Sequence, residues 1–202
     1  MNLSRSISLI IPHADDYKNL DGLLNSIESW TIKPNEIVVV DSSSTFKDWT
    51  PDSEDYFKEK NIKLKIMKAK GAFPGRARNI GIINSSCCLI AFLDCNTVPT
   101  NSWLQSSDFL INDSNLYGVW GSTNYECEGY TQEIIRAATY GLNTLETLPG
   151  SIIRRECFQI VGLFVPNVRA GEDGDWFQRA NLHEIVFHSQ SQPQLRYHLK
   201  KS

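Results

Sequence analysis

The run EIVVVD, residues 36–41, restricts the fold of this chain more than any other stretch. Consecutive apolar side chains on a strand point to both faces of its sheet, so neither face can be left to water. Such a strand belongs inside a parallel sheet covered by helices on both sides. The neighbouring sequence supplies those layers. SISLII (6–11) reads as a first strand, and after a polar loop Leu20, Leu23, Leu24, Ile27 and Trp30 recur at helical spacing. Beyond residue 41 come a serine-rich loop, a helix over 52–60, and a strand over 63–69 whose alternating lysines place it toward an edge. GAFPGRARNIGIINSS then makes a glycine-proline turn and a helix carrying Ile80 and Ile83 inward, leading into the strand LIAFLD (89–94).

The second half is less regular. Helices are expected near 103–110, over 131–145 and after Gly171, with strands over 116–121, 151–155, 184–188 and 194–199. Alternating buried strands and amphipathic helices predict an α/β sandwich with a mostly parallel central sheet, helices on both faces and right-handed crossovers. Neither an internal repeat nor a low-complexity linker divides residues 1–202, which are read as one domain long enough to bury a core without disulfides or metals.

Composition excludes several classes of function. With a net charge of -3 the chain lacks the dense basic face that holds nucleic acid. No apolar run is long enough to span a bilayer, and the N-terminal run, halted by Pro12, is too brief for a secretion signal. The five cysteines form no CxxC pair, so reduced thiols in a cytoplasmic protein, at most peripheral to the inner face of the membrane, are expected. Cys87 and Cys88 enter a strand as small apolar side chains.

In open α/β sheets ligands bind outside the carboxyl ends of the strands, and Asp41 and Asp94 both stand at such ends. Asp94 and Asn96 are two apart, so on extended backbone their oxygens point the same way. That pair suits a divalent cation, Mn or Mg, bridging to a substrate phosphate; it also suits a turn before Pro99, which needs no ligand. Neither GxGxxG nor GxxxxGK[ST] occurs, so a nucleotide would be held by another construction.

Taken in order, SLIIPH, EIVVVDSSS, PGRARNIGI, AFLDCNTVPTNSWL, GSIIRRECFQIVGLF and GEDGDWFQR resemble the nucleotide-sugar glycosyltransferases of family 2, over about residues 7–179. The resemblance implies a GT-A fold and inverting transfer of a sugar from a nucleoside diphosphate, UDP-type, to a hydroxyl of a glycan or lipid-linked acceptor. It divides the chain into a donor half to about residue 99 and an acceptor half beyond. It places Pro12, Asp41, Arg78, Asn79, Asp94, Asn96 and Glu172 at the nucleotide sugar, with Asp41 against the base. Asp94 matches the first acid of the DxD motif, and Asn96 departs from it where a second acid usually binds metal. Asp173, in the ED pair, becomes the general base, with Asp175 in reserve.

Other readings of the same residues stand beside these. Arg78 is also an ordinary solvent-facing helix arginine, and Glu172 and Asp173 also suit a helix cap. Arg154, Arg155 and Arg169 are candidates to offset diphosphate charge, with a plain surface role favoured for the first two. His198 fits either a metal-diphosphate site or packing, and Trp103 and Trp176 read as core. QxxRW is absent, which favours addition of one sugar over polymer synthesis. A non-catalytic relative that binds nucleotide sugar, glycan or protein is the alternative that Asn96 motivates. A nucleotidyltransferase would need a Gly-rich, lysine-bearing loop after SLIIP, which is missing.

Overall fold

The computed structural model describes residues 5–127, 129–139 and 143–198. Strand β2 (Glu36–Asp41) is buried along its whole length. It lies in parallel register between β1 (Ile7–His13) and β3 (Lys63–Lys68), and β1 pairs on its other side with β4 (Leu89–Phe92), again in parallel. Lysines 63, 65 and 68 line β3 at the sheet edge, where charge discourages pairing with another chain.

Past β4 the sheet reverses. β7 (Leu145–Arg154) runs antiparallel to β4, and β6 (Gly118–Glu126) antiparallel to β7. With β5 (Thr97–Pro99) and β9 (Leu195–His198) the order is β3-β2-β1-β4-β7-β6-β9-β5, and β8 (Phe187–His188) also pairs with β6. A bulge falls between Val119 and Gly121. A Cβ at Gly121 would lie 2.0 Å from the Pro149 carbonyl oxygen, so only glycine passes there.

Helices cover both faces. On one side α1 (Tyr17–Ser26) packs Leu20 and Leu24 against Leu9, Ile11, Ile37 and Val39, with Trp30 and Trp103 edge to face at 5.4 Å. On the other, α6 (Arg155–Ile160) and α7 (Glu172–Leu182) bring Phe158 and Trp176 onto Ile10, Ile90 and Phe92, while α3 (Pro74–Asn84) lays Ala77 on Val38 and Val40. A short α2 (Glu54–Glu59), a 3-10 turn running into α4 (Ser107–Asn112), and α5 (Tyr130–Thr139) complete the chain.

Several expectations need correction. Ile83 is 67% exposed and Ile80 only half-buried; the inward residues of α3 are Gly75, Ala77, Arg78, Asn79, Gly81 and Ile82. The helix lies so close to β1 that a Cβ on Gly81 would come within 2.4 Å of Ile10 Cγ2, so glycine rather than a branched residue faces the strand at that point. The helix expected over 131–145 ends at Thr139, and Leu145 already belongs to β7; residues 140–142 lie outside the described residues. Helix α6 was not expected, because Arg155 reads as the end of a strand. Its side chain instead donates to the Cys87 and Ile82 carbonyls at 2.7 and 3.0 Å and to Ser85 Oγ at 2.7 Å, closing the end of α3.

Candidate active site

Arg78 is the hub of the site. Its side chain leaves α3 toward the carboxyl end of β4 and is only 6% exposed. Nη2 donates to Asp94 Oδ1 at 3.2 Å, and Nη1 donates to Glu172 Oε1 at the start of α7. Burial alone would lower the guanidinium pKa, but the charges of Asp94 and Glu172 outweigh it and hold the group above its ordinary value. The Nε–H is buried without a partner among the described residues, a cost of about 1–3 kcal/mol that an incoming acceptor oxygen would remove. The reading of Arg78 as a solvent-facing arginine is therefore corrected: no solvent reaches most of it.

The same helix face grips the segment before α7. Asn79 Nδ2 donates to the Phe164 carbonyl at 2.8 Å, and the Phe164 N–H donates back to Asn79 Oδ1 at 3.0 Å. At Gly75 an added Cβ would stand 2.3 Å from the Val165 carbonyl oxygen and 3.2 Å from Glu172 Cβ. Gly75, Arg78 and Asn79 stand at i, i+3 and i+4, one side of a helix.

A cleft of about 310 Å³ opens beside Arg78 at the carboxyl ends of β1, β2 and β4. Of the expected nucleotide-sugar residues it brings together Pro12, Arg78, Asp94 and Asn96, with Ser42 and Ala77 contributing wall. Asp41, Asn79 and Glu172 are not among the residues that line it. The Asn79 carboxamide is used on Phe164, and Glu172, 5% exposed, reaches the cleft only through Arg78.

Asp41 lies beneath the cleft floor, 4% exposed. Tyr17 Oη donates to its Oδ2 at 2.7 Å, while the Ser43 N–H at 3.0 Å and His13 Nδ1 at 3.2 Å meet its Oδ1. His13 Nε2 accepts from the Asp16 N–H at 3.0 Å, which puts the ring proton on Nδ1 and makes His13 the donor to Asp41. Burial raises the Asp41 pKa, but these hydrogen bonds, those of Ser43 first, outweigh it and hold the carboxylate below its usual range. Asp41 thus fastens the loops after β1 and β2 that form the floor.

Asp94 and Asn96 flank a turn: the Thr97 N–H and Oγ1 both donate to the Asp94 carbonyl, at 3.0 and 2.7 Å. Asn96 Oδ1 accepts from Asn19 Nδ2 at 3.0 Å. One Asp94 oxygen is held by Arg78, and no group of three His, Cys, Asp or Glu able to hold a metal occurs among the described residues. A hard divalent cation seeks six or more oxygens, and this donor set does not assemble a site for Mn or Mg by itself.

Gly171, at φ 86°, turns the chain into α7 and stands at its N-cap without a side-chain cap. Glu172 and Asp173 follow inside the first turn, so neither is the capping residue. Asp173 is half-buried, and Oδ1 accepts from the Gly174 N–H at 2.8 Å. Asp175, by contrast, is paired with Arg179 at 2.9 Å. Arg154 is neither a surface residue nor part of the site: it is 3% exposed and donates to the Leu116 carbonyl at 2.6 Å and the Asp113 carbonyl at 3.2 Å. Arg169 is exposed on the loop before α7, Trp103 and Trp176 are wholly buried, and the side chain of His198 lies outside the described residues. Sequence reasoning missed Asn19 and Gly75, since nothing in a lone helical Asn or Gly marks what it meets in space.

The Glycosyl transferase family 2 profile matches residues 8–171. The chain belongs to glycosyl transferase family 2. Among relatives of this family 2 chain, glycosyltransferase AglE of Haloferax volcanii is 26% identical over 189 residues, 86% of this chain and 60% of that protein. A glycosyltransferase of Rickettsia bellii is 27% identical over 182 residues, 83% of this chain but 25% of its own length. The chain therefore spans less than two thirds of either relative. The fold is GT-A, shared with S. aureus TarS: the 1-349 structure superposes with a TM-score of 0.68 at 19% identity, covering 96% of this chain and 60% of that one. A TarS structure in complex with UDP-GlcNAc gives 0.65 at 18%, covering 98% of this chain and 59% of that one. No helix among the described residues is long and apolar enough to cross a membrane.

Proposed function

We propose that this family 2 chain is an inverting glycosyltransferase that moves a sugar from a nucleoside diphosphate, UDP-type, to a hydroxyl of a glycan or lipid-linked acceptor. One observation carries the reading: Asp173 is the next residue after Glu172, which is bonded to the cation at the wall of the cleft, while its fallback Asp175 is occupied by Arg179. The nucleotide lies in the cleft against Pro12, Arg78 and Asp94, in the half of the chain ending near Pro99; the acceptor approaches from the rest. Asp173 takes the proton of the acceptor hydroxyl as its oxygen bonds to the anomeric carbon. The bond from that carbon to the diphosphate oxygen breaks on the opposite side, which inverts the centre and releases the nucleoside diphosphate. Arg78 offsets charge on the leaving group. TarS with UDP-GlcNAc supports the choice of donor class, and a cysteine set without a CxxC pair supports a cytoplasmic setting.

The test is UDP release from UDP-sugars over a panel of acceptors. Asp173→Asn is expected to abolish turnover while UDP still binds; loss of UDP binding in that variant would overturn the assigned role. The engagement of Asn96 by Asn19 favours one other reading, a relative that binds nucleotide sugar without transfer. Binding with no turnover over the whole panel would establish it.

A further inference from the structure

The two ends of the Arg78 bridge are unequal. Glu172 is shielded, its side chain 6% exposed, whereas Asp94 is 38% exposed and bonds at a relaxed 3.2 Å. One guanidinium faces two carboxylates, so the bridge carries a net negative charge that an approaching diphosphate must rearrange. The exposed end is the one that can give way: water and ligand both reach Asp94, while Glu172 is closed in by Gly75, whose Cα hydrogen side leaves no room for a methyl group. Arg78 also keeps one buried N–H without a partner among the described residues.

We propose, on the basis of the transferase reading, that Glu172 is a positioning residue for the donor and that the Asp94–Arg78–Glu172 bridge couples donor occupancy to the loop presenting Asp173. Glu172 keeps hold of Nη1 and fixes the plane of the guanidinium. A diphosphate oxygen replaces Asp94 at Nη2 or takes the free Nε–H. Because Asn79 and Gly75 join the same helix face to Phe164 and Val165, the loop 165–171 tightens when the nucleotide binds, and the base is set before the acceptor arrives. No covalent step is involved; the coupling is an exchange of partners around one fixed cation.

The experiment is a calorimetric titration of the whole chain with UDP, as wild type, Glu172→Gln, Asp94→Asn and the double variant, with hydrogen exchange of residues 165–171 followed in parallel. Glu172→Gln is expected to weaken UDP binding on the order of tenfold, the scale of one charge-assisted hydrogen bond. The Asp94 and Glu172 effects are expected to be non-additive, since they share Arg78. UDP should slow exchange over 165–171 in the wild type and fail to do so in Glu172→Gln. If Glu172→Gln melts early, Arg78→Lys serves instead: it retains the charge and cannot span both carboxylates. Unchanged UDP affinity in a folded variant, or loop exchange indifferent to UDP in the wild type, overturns the coupling alone. A wild type that binds no UDP takes the transferase reading down with it.

Discussion

Asn79 and Phe164 exchange two hydrogen bonds, carboxamide to carbonyl and amide N–H to carboxamide, at 2.8 and 3.0 Å across 85 residues of sequence. The pair sits where α3 meets the loop entering α7, and both residues are buried. Asn79→Ala leaves the Phe164 N–H and carbonyl without that partner, at a cost of about 1–3 kcal/mol each. Urea unfolding is expected to show a loss of about 2–4 kcal/mol, and turnover should fall with it because the loop leading to Asp173 loses its anchor.

Gly75→Ala is a stricter test of the same contact. Its new methyl carbon would begin 2.3 Å from the Val165 carbonyl oxygen, far inside van der Waals contact with backbone that cannot simply rotate away. Helix α3 must retreat from the α7 loop, stretching the Arg78–Glu172 bond. A drop in melting temperature and weaker UDP binding are expected together; a variant as stable as the parent would show that the loop has room to yield.

At the opposite end of the sheet Glu36 is wholly buried, accepting from Ser8 Oγ at 2.6 Å, Lys65 Nζ at 3.0 Å and the Ser86 N–H. Burial raises its pKa, yet these donors prevail and bring it to about 2, well under the ordinary 4.5. A lowered folded-state pKa stabilises the fold above the unfolded value, and the contribution is lost as pH falls from 4.5 toward about 2. The difference amounts to about 3 kcal/mol at neutral pH. Urea midpoints measured from pH 7 down to 2 should decline through that window, and Glu36→Gln should flatten the decline while lowering stability at pH 7.

Asn96→Asp restores a second carboxylate two residues from Asp94 without altering shape. Two acids and a diphosphate make a better oxygen set for a divalent cation than one acid and an amide. Manganese is expected to strengthen UDP binding by this variant more than by the parent, as read by titration with and without chelator. Equal responses to manganese would show that the residue at 96 does not govern cation binding.

The first half of the chain was legible because its signals are local. EIVVVD and LIAFLD announce strands buried on both faces, the lysines of β3 announce an edge, and an acid after an apolar strand announces the ligand end of the sheet. Helix α3 was misread for a physical reason: its inner face holds glycine, alanine, arginine and asparagine, and no apolar pattern marks a face built from small and paired polar residues. The internal partners of Asp41, Asn79 and Glu172 escaped for the same reason. An acid or amide at a motif position looks alike whether it faces a ligand or a backbone carbonyl.

By itself the amino-acid sequence determined the layered α/β plan and the strand ends at which Asp41 and Asp94 stand, because these depend on periodicities within one element. Which of those residues face the cleft and which brace it was decided only by tertiary structure. Arg78 becomes a bridge because Asp94 and Glu172, 78 residues apart, arrive at opposite edges of one guanidinium. That coincidence is a property of how α3 packs on β1 and the α7 loop, and no stretch of chain contains it.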